Sequence, residues 1–166
     1  MQKIKKVPTK EEAYNRFSNL CARQECCPHD LVQKMEALGM ANDTIAYVLK
    51  HLTEENFLNE ERFCNAFVHD KLEFSRWGRL RISIELRRRN LPVQLVNKTL
   101  KNIDNNRYFE KLTELLTDYN HTLNAKSAYE RRSKLLRYAF GHGFEQELAV
   151  NIVDKLCSNA EDIHNF

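Results

Sequence analysis

The stretch Gly78-Arg79-Leu80-Arg81-Ile82-Ser83-Ile84-Glu85-Leu86-Arg87-Arg88-Arg89-Asn90-Leu91-Pro92-Val93-Gln94-Leu95-Val96 decides the fold. Ile82 and Leu86 stand four apart, as one face of a helix requires. They run into Asn90, which after Gly best tolerates the left-handed conformation that ends many helices. Leu91, the apolar residue just behind it, is placed to fold back on the last turn. Pro92 then opens a second helix, carried by Val96, Leu100 and Ile103. The unit reads helix, cap, apolar residue, helix.

The same grammar recurs on both sides. Leu31, Met35 and Leu38 run into Gly39-Met40, then into Ile45, Val48, Leu49 and Leu52. Leu135 and Ala139 run into Gly143-Phe144, then into Ala149, Ile152, Val153 and Leu156. The joints are spaced by 51 residues from Gly39 to Asn90 and by 53 from Asn90 to Gly143. The following helices start at Asn42 or Asp43, at Pro92 and at Glu145, all favoured first-turn types. A further helical stretch precedes each pair, at Ala13 to Arg23, Glu60 to Phe74 and Arg107 to Leu123. The expected fold is all-α: nine helices in a tandem array of three three-helix repeats, elongated or gently curved, over residues 1–56, 57–105 and 106–166.

Composition agrees. The 166 residues include only 4 Gly and 3 Pro, too few for the turns of a β-sandwich. A hydrophobic fraction of 42% supplies a core and excludes a disordered chain. No stretch approaches the ~20 apolar residues of a membrane span. The charged start, Met1 to Lys10, lacks the apolar region of a secretory signal. Five cysteines, an odd number set among helical patterns, read as reduced thiols in a cytoplasmic protein. Cys26, Cys27 and His29 cluster, but a structural zinc site takes four ligands, usually as two spaced pairs. No metal is expected.

The net charge of +3 hides an asymmetry. From Lys71 to Lys101 nine Lys/Arg face two acids, Glu73 and Glu85, a local excess of +7 that leaves −4 elsewhere. On the Gly78–Arg89 helix, Ile82 and Leu86 form one apolar stripe and Leu80 and Ile84 a second, nearly opposite. Arg81, Arg88 and Arg89 fill an arc between them, with Glu85 among them. Two stripes suit a helix that packs its own repeat and touches a neighbouring repeat or a partner. Arg76, Arg79 and Arg87 add to the basic excess, although arginines near a helix C-terminus also complement its dipole. Trp77 is either a core plug or an exposed stacking platform. In the third repeat Arg131, Arg132, Lys134 and Arg137 crowd the middle helix, after Lys126 and with Glu130 the only acid between them. The first repeat has no such excess, Lys34 standing against Asp30 and Glu36.

Glu61-Arg62-Phe63, Phe67-Val68, Gly78, Arg81-Ile82, Glu85-Leu86 and Asn90-Leu91 together resemble the central motif of the RecX family. The threefold helical array resembles that family's fold over nearly the whole chain. Two departures stand out: Asn90 replaces the usual Gly, and Cys27-Pro28-His29-Asp30-Leu31 replaces the usual start of the first repeat. The resemblance implies a bacterial regulatory protein of DNA repair, recombination and the SOS response. Its partner would be the RecA filament, in whose groove it would lie, restraining ATP hydrolysis and strand exchange. Some members bind single- or double-stranded DNA directly. On this reading Arg76, Arg79, Arg81, Arg87, Arg88, Arg89, Arg131, Arg132, Lys134 and Arg137 face RecA or DNA phosphate, and Trp77 is a possible stacking residue.

No catalytic constellation accompanies these features. There is no glycine-rich phosphate loop, no Gly-x-Ser-x-Gly and no His-Glu-x-x-His. Adjacent acids such as Glu60-Glu61 point about 100° apart on a helix and suit a helix start better than a two-metal site. No enzyme, cofactor, membrane partner or small-molecule substrate is expected. Two alternatives stay open. One is a helix-turn-helix DNA-binding protein acting without RecA, reading bases with Gln94, Asn97, Lys98 and Lys101. The other is a protein scaffold whose basic faces are merely solvated.

Overall fold

The computed structural model describes residues 7–162, with side chains as far as Ser158. Among the described residues there are nine helices and no strand. They are α1 (Lys10–Arg23), α2 (Pro28–Ala37), α3 (Asn42–Glu54), α4 (Glu60–Glu73), α5 (Arg79–Arg88), α6 (Val93–Lys101), α7 (Asn105–Thr122), α8 (Ala128–Gly141) and α9 (Gln146–Asp162). They form a multi-helical fold of three-helix repeats.

Local chemistry sets the boundaries. Thr9 and Glu12 close a capping box on α1. Asn59, Asp104 and Ser127 each accept a backbone N–H at the start of α4, α7 and α8. The second helix of each repeat ends on a left-handed residue: Gly39 at φ 75°, Asn90 at 58° and Gly143 at 83°. Met40, Leu91 and Phe144, the apolar residues that follow, are all buried. Behind two of these caps the amide of Met40 donates to Met35 and that of Phe144 to Ala139, as a folded-back helix end requires.

Each repeat gathers its own apolar cluster. Phe17, Leu31, Met35, Val48 and Leu52 centre the first. Phe63, Ile82, Leu86, Leu91 and Val96 centre the second. Tyr108, Leu112, Leu116, Leu135 and Phe144 centre the third. Cys26 belongs to the first core and Cys27 to the second, while His29 lies 3.3 Å from Asp30. The three potential ligands thus diverge.

Ion pairs join consecutive repeats. Between the first and second, Arg62 donates to Glu25 at 2.9 Å and Arg89 to Asp30 at 3.1 Å. Burial alone would raise the Asp30 carboxyl; hydrogen bonds from His29 and Arg89 win and hold it low. Between the second and third, Arg107 grips Glu73 with two bonds of 2.9 and 2.6 Å. The ammonium of Lys111, buried in the third repeat, lies 3.1 Å from the same carboxylate. The Tyr108 hydroxyl donates to Glu145 at 2.6 Å and accepts the Arg79 amide at 2.9 Å.

A backbone interlock completes that second junction. The Gly78 amide donates to the His142 carbonyl at 2.7 Å, and the Leu80 amide to the Gly143 carbonyl at 3.1 Å. A Cβ on Gly78 would sit 2.2 Å from the Gly143 oxygen. Gly78 is absent its side chain because another backbone occupies the space.

Candidate partner-binding face

The helix α5 presents one side to its own core and the other to solvent. Ile82 and Leu86 are fully buried, whereas Leu80 and Ile84 are 55% and 52% exposed. Leu80, Ile84, Arg87, Arg88 and Arg81 lie within an arc of about 120°. Arg87 is exposed and makes no ion pair among the described residues. Arg88 reaches Glu85 at 2.8 Å but keeps 71% of its side chain in solvent. Arg81 lies 4.0 Å over the Trp77 ring and donates to the Gly141 carbonyl at 3.4 Å. That bond carries the face onto the end of α8, where Phe140 and Arg137 are exposed. Arg137, like Arg87, has no acidic partner among the described residues.

Other cations turn inward. Arg79 spans the second junction, bonding Asn105 at 2.9 Å and Glu145 at 3.5 Å while lying 3.8 Å over the Tyr108 ring. Arg89 is held by Asp30 and Glu85 and stacks on Phe67. Arg76, itself left-handed at φ 51°, pairs with Asp118 at 2.6 Å. Arg131 donates to Asn120 at 2.7 Å, Arg132 to Asp154 at 2.8 Å, and Lys134 lies 2.7 Å from Glu130. Trp77 is half-buried against the second core, with Lys71 as well as Arg81 over its ring. It is a packed residue already stacked by the chain's own cations. On α6, Lys98 is engaged with Glu61 at 2.7 Å.

The basic middle therefore resolves into two classes. Arg79 and Arg89 hold junctions together, and Arg76, Arg131, Arg132 and Lys134 pair locally or with a neighbouring helix. Arg87, Arg88 and Arg137 flank exposed apolar side chains. Exposed Leu and Ile ringed by arginine are what a protein partner's surface can bury.

A family model described as the second three-helix domain of RecX matches residues 59–100, the segment that builds this face. A regulatory protein RecX of Lactobacillus johnsonii is 23% identical over 94% of this chain and 58% of its own length. Sequence and fold together support the RecX family. The chain spans about three fifths of the length of the first curated RecX relatives it matches. Two RecX crystal structures share the fold. One, titled regulatory protein RecX, superposes with a TM-score of 0.78 at 16% identity over 87% of this chain and 73% of its own. The RecX of Lactobacillus salivarius superposes with a TM-score of 0.74 at 17% identity over 89% and 96%. The curated relatives are named as regulatory proteins. Among the described residues no helix is long and apolar enough to cross a membrane.

Proposed function

We propose that this chain is a regulator that binds RecA or RecA–DNA filaments and restrains RecA ATPase and strand exchange. The likeness to RecX proteins supports the partner. The observation that carries the binding face is exposed Leu80 and Ile84 beside Arg87 and Arg88, inside the segment the family model matches. In this reading repeats 1–56, 57–105 and 106–166 act as successive contact units in the filament groove. Arg81, Arg87, Arg88 and Arg137 meet acidic protein surface or DNA phosphate, and the paired cations keep the units in register. A chain braced across neighbouring subunits then resists the motions that accompany ATP turnover, because only differential binding to one filament state can shift that equilibrium. The protein works in the cytoplasm, where the filament forms, and performs no chemistry of its own.

The test is RecA ATPase on single-stranded DNA with substoichiometric protein added. The rate falls as the ratio rises. An unchanged rate at every ratio sinks the proposal.

A further inference from the structure

The first repeat carries a feature that its acid-balanced sequence conceals. Helices α1 and α2 each pack on α3 and leave a groove of about 650 Å³ between them. Phe17, Leu20 and Leu38 supply apolar lining, with Phe17 buried and the two leucines half-buried. Arg16, Arg23 and Lys34 stand around it, all exposed. Among the described residues no acid lines the groove, and none of the three cations makes an ion pair.

The equivalent place in the third repeat is a smaller groove of about 380 Å³, lined by Tyr119, Tyr138 and His142 beside Lys134 and Arg137. Tyr138, Gly141 and His142 stand five, two and one residues before Gly143, as Lys34, Ala37 and Leu38 stand before Gly39. Tyr119 stacks on Tyr138 at 3.9 Å, and Tyr138 packs on His142 at 4.5 Å. In the second repeat the position five before Asn90 is Glu85, neutralised by Arg88 and Arg89. In the first repeat this position opens onto aliphatic Leu20 and Leu38, between cations that make no ion pair among the described residues.

We propose that the α1–α2 groove binds an acidic amphipathic helix from a partner protein. A slot between two helices on a third takes a further helix, read through apolar anchors at helical spacing. Leucine-sized anchors settle on Leu20, Ala37 and Leu38, and flanking carboxylates meet Arg16, Arg23 and Lys34. The charges speed and orient encounter, while the buried anchor holds the complex. The lining favours protein over single-stranded nucleic acid: the one ring present, Phe17, is buried, so no face remains for a base to stack upon. This site is distinct from the α5 face and stands without it.

The probe is a fluorescein-labelled peptide of ~18 residues, five helical turns, with Leu along one stripe and Glu on its flanks. A scrambled peptide of equal composition and a labelled oligothymidylate are controls, read by anisotropy. The striped peptide binds, and the scrambled one binds at least about tenfold more weakly. Arg16→Glu with Arg23→Glu and Lys34→Glu abolishes striped-peptide binding, and Leu20→Asp weakens it. Arg87→Glu with Arg88→Glu leaves it unchanged. Circular dichroism of every variant confirms the helices. No binding by wild type, or full binding by the triple variant, overturns the proposal. Oligothymidylate binding lost in that same triple variant overturns it in favour of a phosphate site.

Discussion

Replacing Gly78 by alanine isolates the second junction. Gly78 lies at φ −80° and ψ 167°, a conformation any residue adopts, so alanine brings no backbone strain. By itself the change should even stabilise, by about 0.4–1 kcal/mol, through a less flexible unfolded chain. The new Cβ, however, meets the Gly143 oxygen at 2.2 Å, the Gly143 carbon at 2.4 Å and the Phe144 nitrogen at 2.5 Å. All three are backbone atoms of a left-handed cap that cannot swing aside as a side-chain tip would. The chains must separate, which costs about 1–3 kcal/mol in overpacking. Separation also weakens the Gly78–His142 and Leu80–Gly143 hydrogen bonds, each worth about 0.5–1.5 kcal/mol. The clash wins, and a net loss of roughly 2–4 kcal/mol is expected from these ranges. For a chain of this size that lowers Tm by roughly 5–15 °C.

Gly141→Ala is the matched control. Nothing lies within 4 Å of its Cβ position, and it ends α8 in solvent. Alanine there leaves stability unchanged or raises it by up to ~1 kcal/mol. The assay is a thermal melt of both variants, with hydrogen exchange read at the Leu80 amide. Gly78→Ala accelerates that exchange and Gly141→Ala does not. A Gly78→Ala protein as stable as wild type would refute the interlock.

Arg87→Glu with Arg88→Glu leaves stability within about 0.5 kcal/mol, both groups being exposed, and removes inhibition in the RecA ATPase titration. Full inhibition by that variant would place the contact elsewhere. Tyr108→Phe costs about 1–3 kcal/mol in urea unfolding, because Glu145 and the Arg79 amide lose a shared partner. Hydrogen bonds from Arg107, joined by Lys111, depress the Glu73 carboxyl from an ordinary 4.5 to about 2. Its contribution is therefore complete above pH ~4.5 and disappears as pH falls towards ~2. Glu73→Gln lowers stability by about 1–2 kcal/mol at neutral pH and flattens that acid limb of the urea midpoints. Burial pushes the thiols of Cys27 and Cys64 up to about 11. At pH 8 both resist alkylation by iodoacetamide in the native protein and react once it is unfolded in urea.

The helices were legible because their signals are local. Periodicity, Asn59 as a cap, and left-handed Gly39, Asn90 and Gly143 each act within a turn or two of chain. The left-handed Arg76 gave no such signal. Gly78 was readable as a helix entrance, but its need to be glycine arises from Gly143, far along the chain. The same limit governed the arginines. Arg87 and Arg89 are two residues apart and compositionally equal, yet about 200° of helical rotation separates them. Arg89 finds Asp30 of another repeat, while Arg87 finds no acid among the described residues. Charge counted along the chain sums over every face of each helix, so it magnified the middle repeat, where much of the excess is neutralised between elements. It also hid the first repeat, where Arg16, Arg23 and Lys34 converge from two helices although acids lie between them in sequence. Basic density marks where pairing is abundant. The proposed faces lie instead where pairing fails beside exposed carbon, and that is settled only when the helices meet.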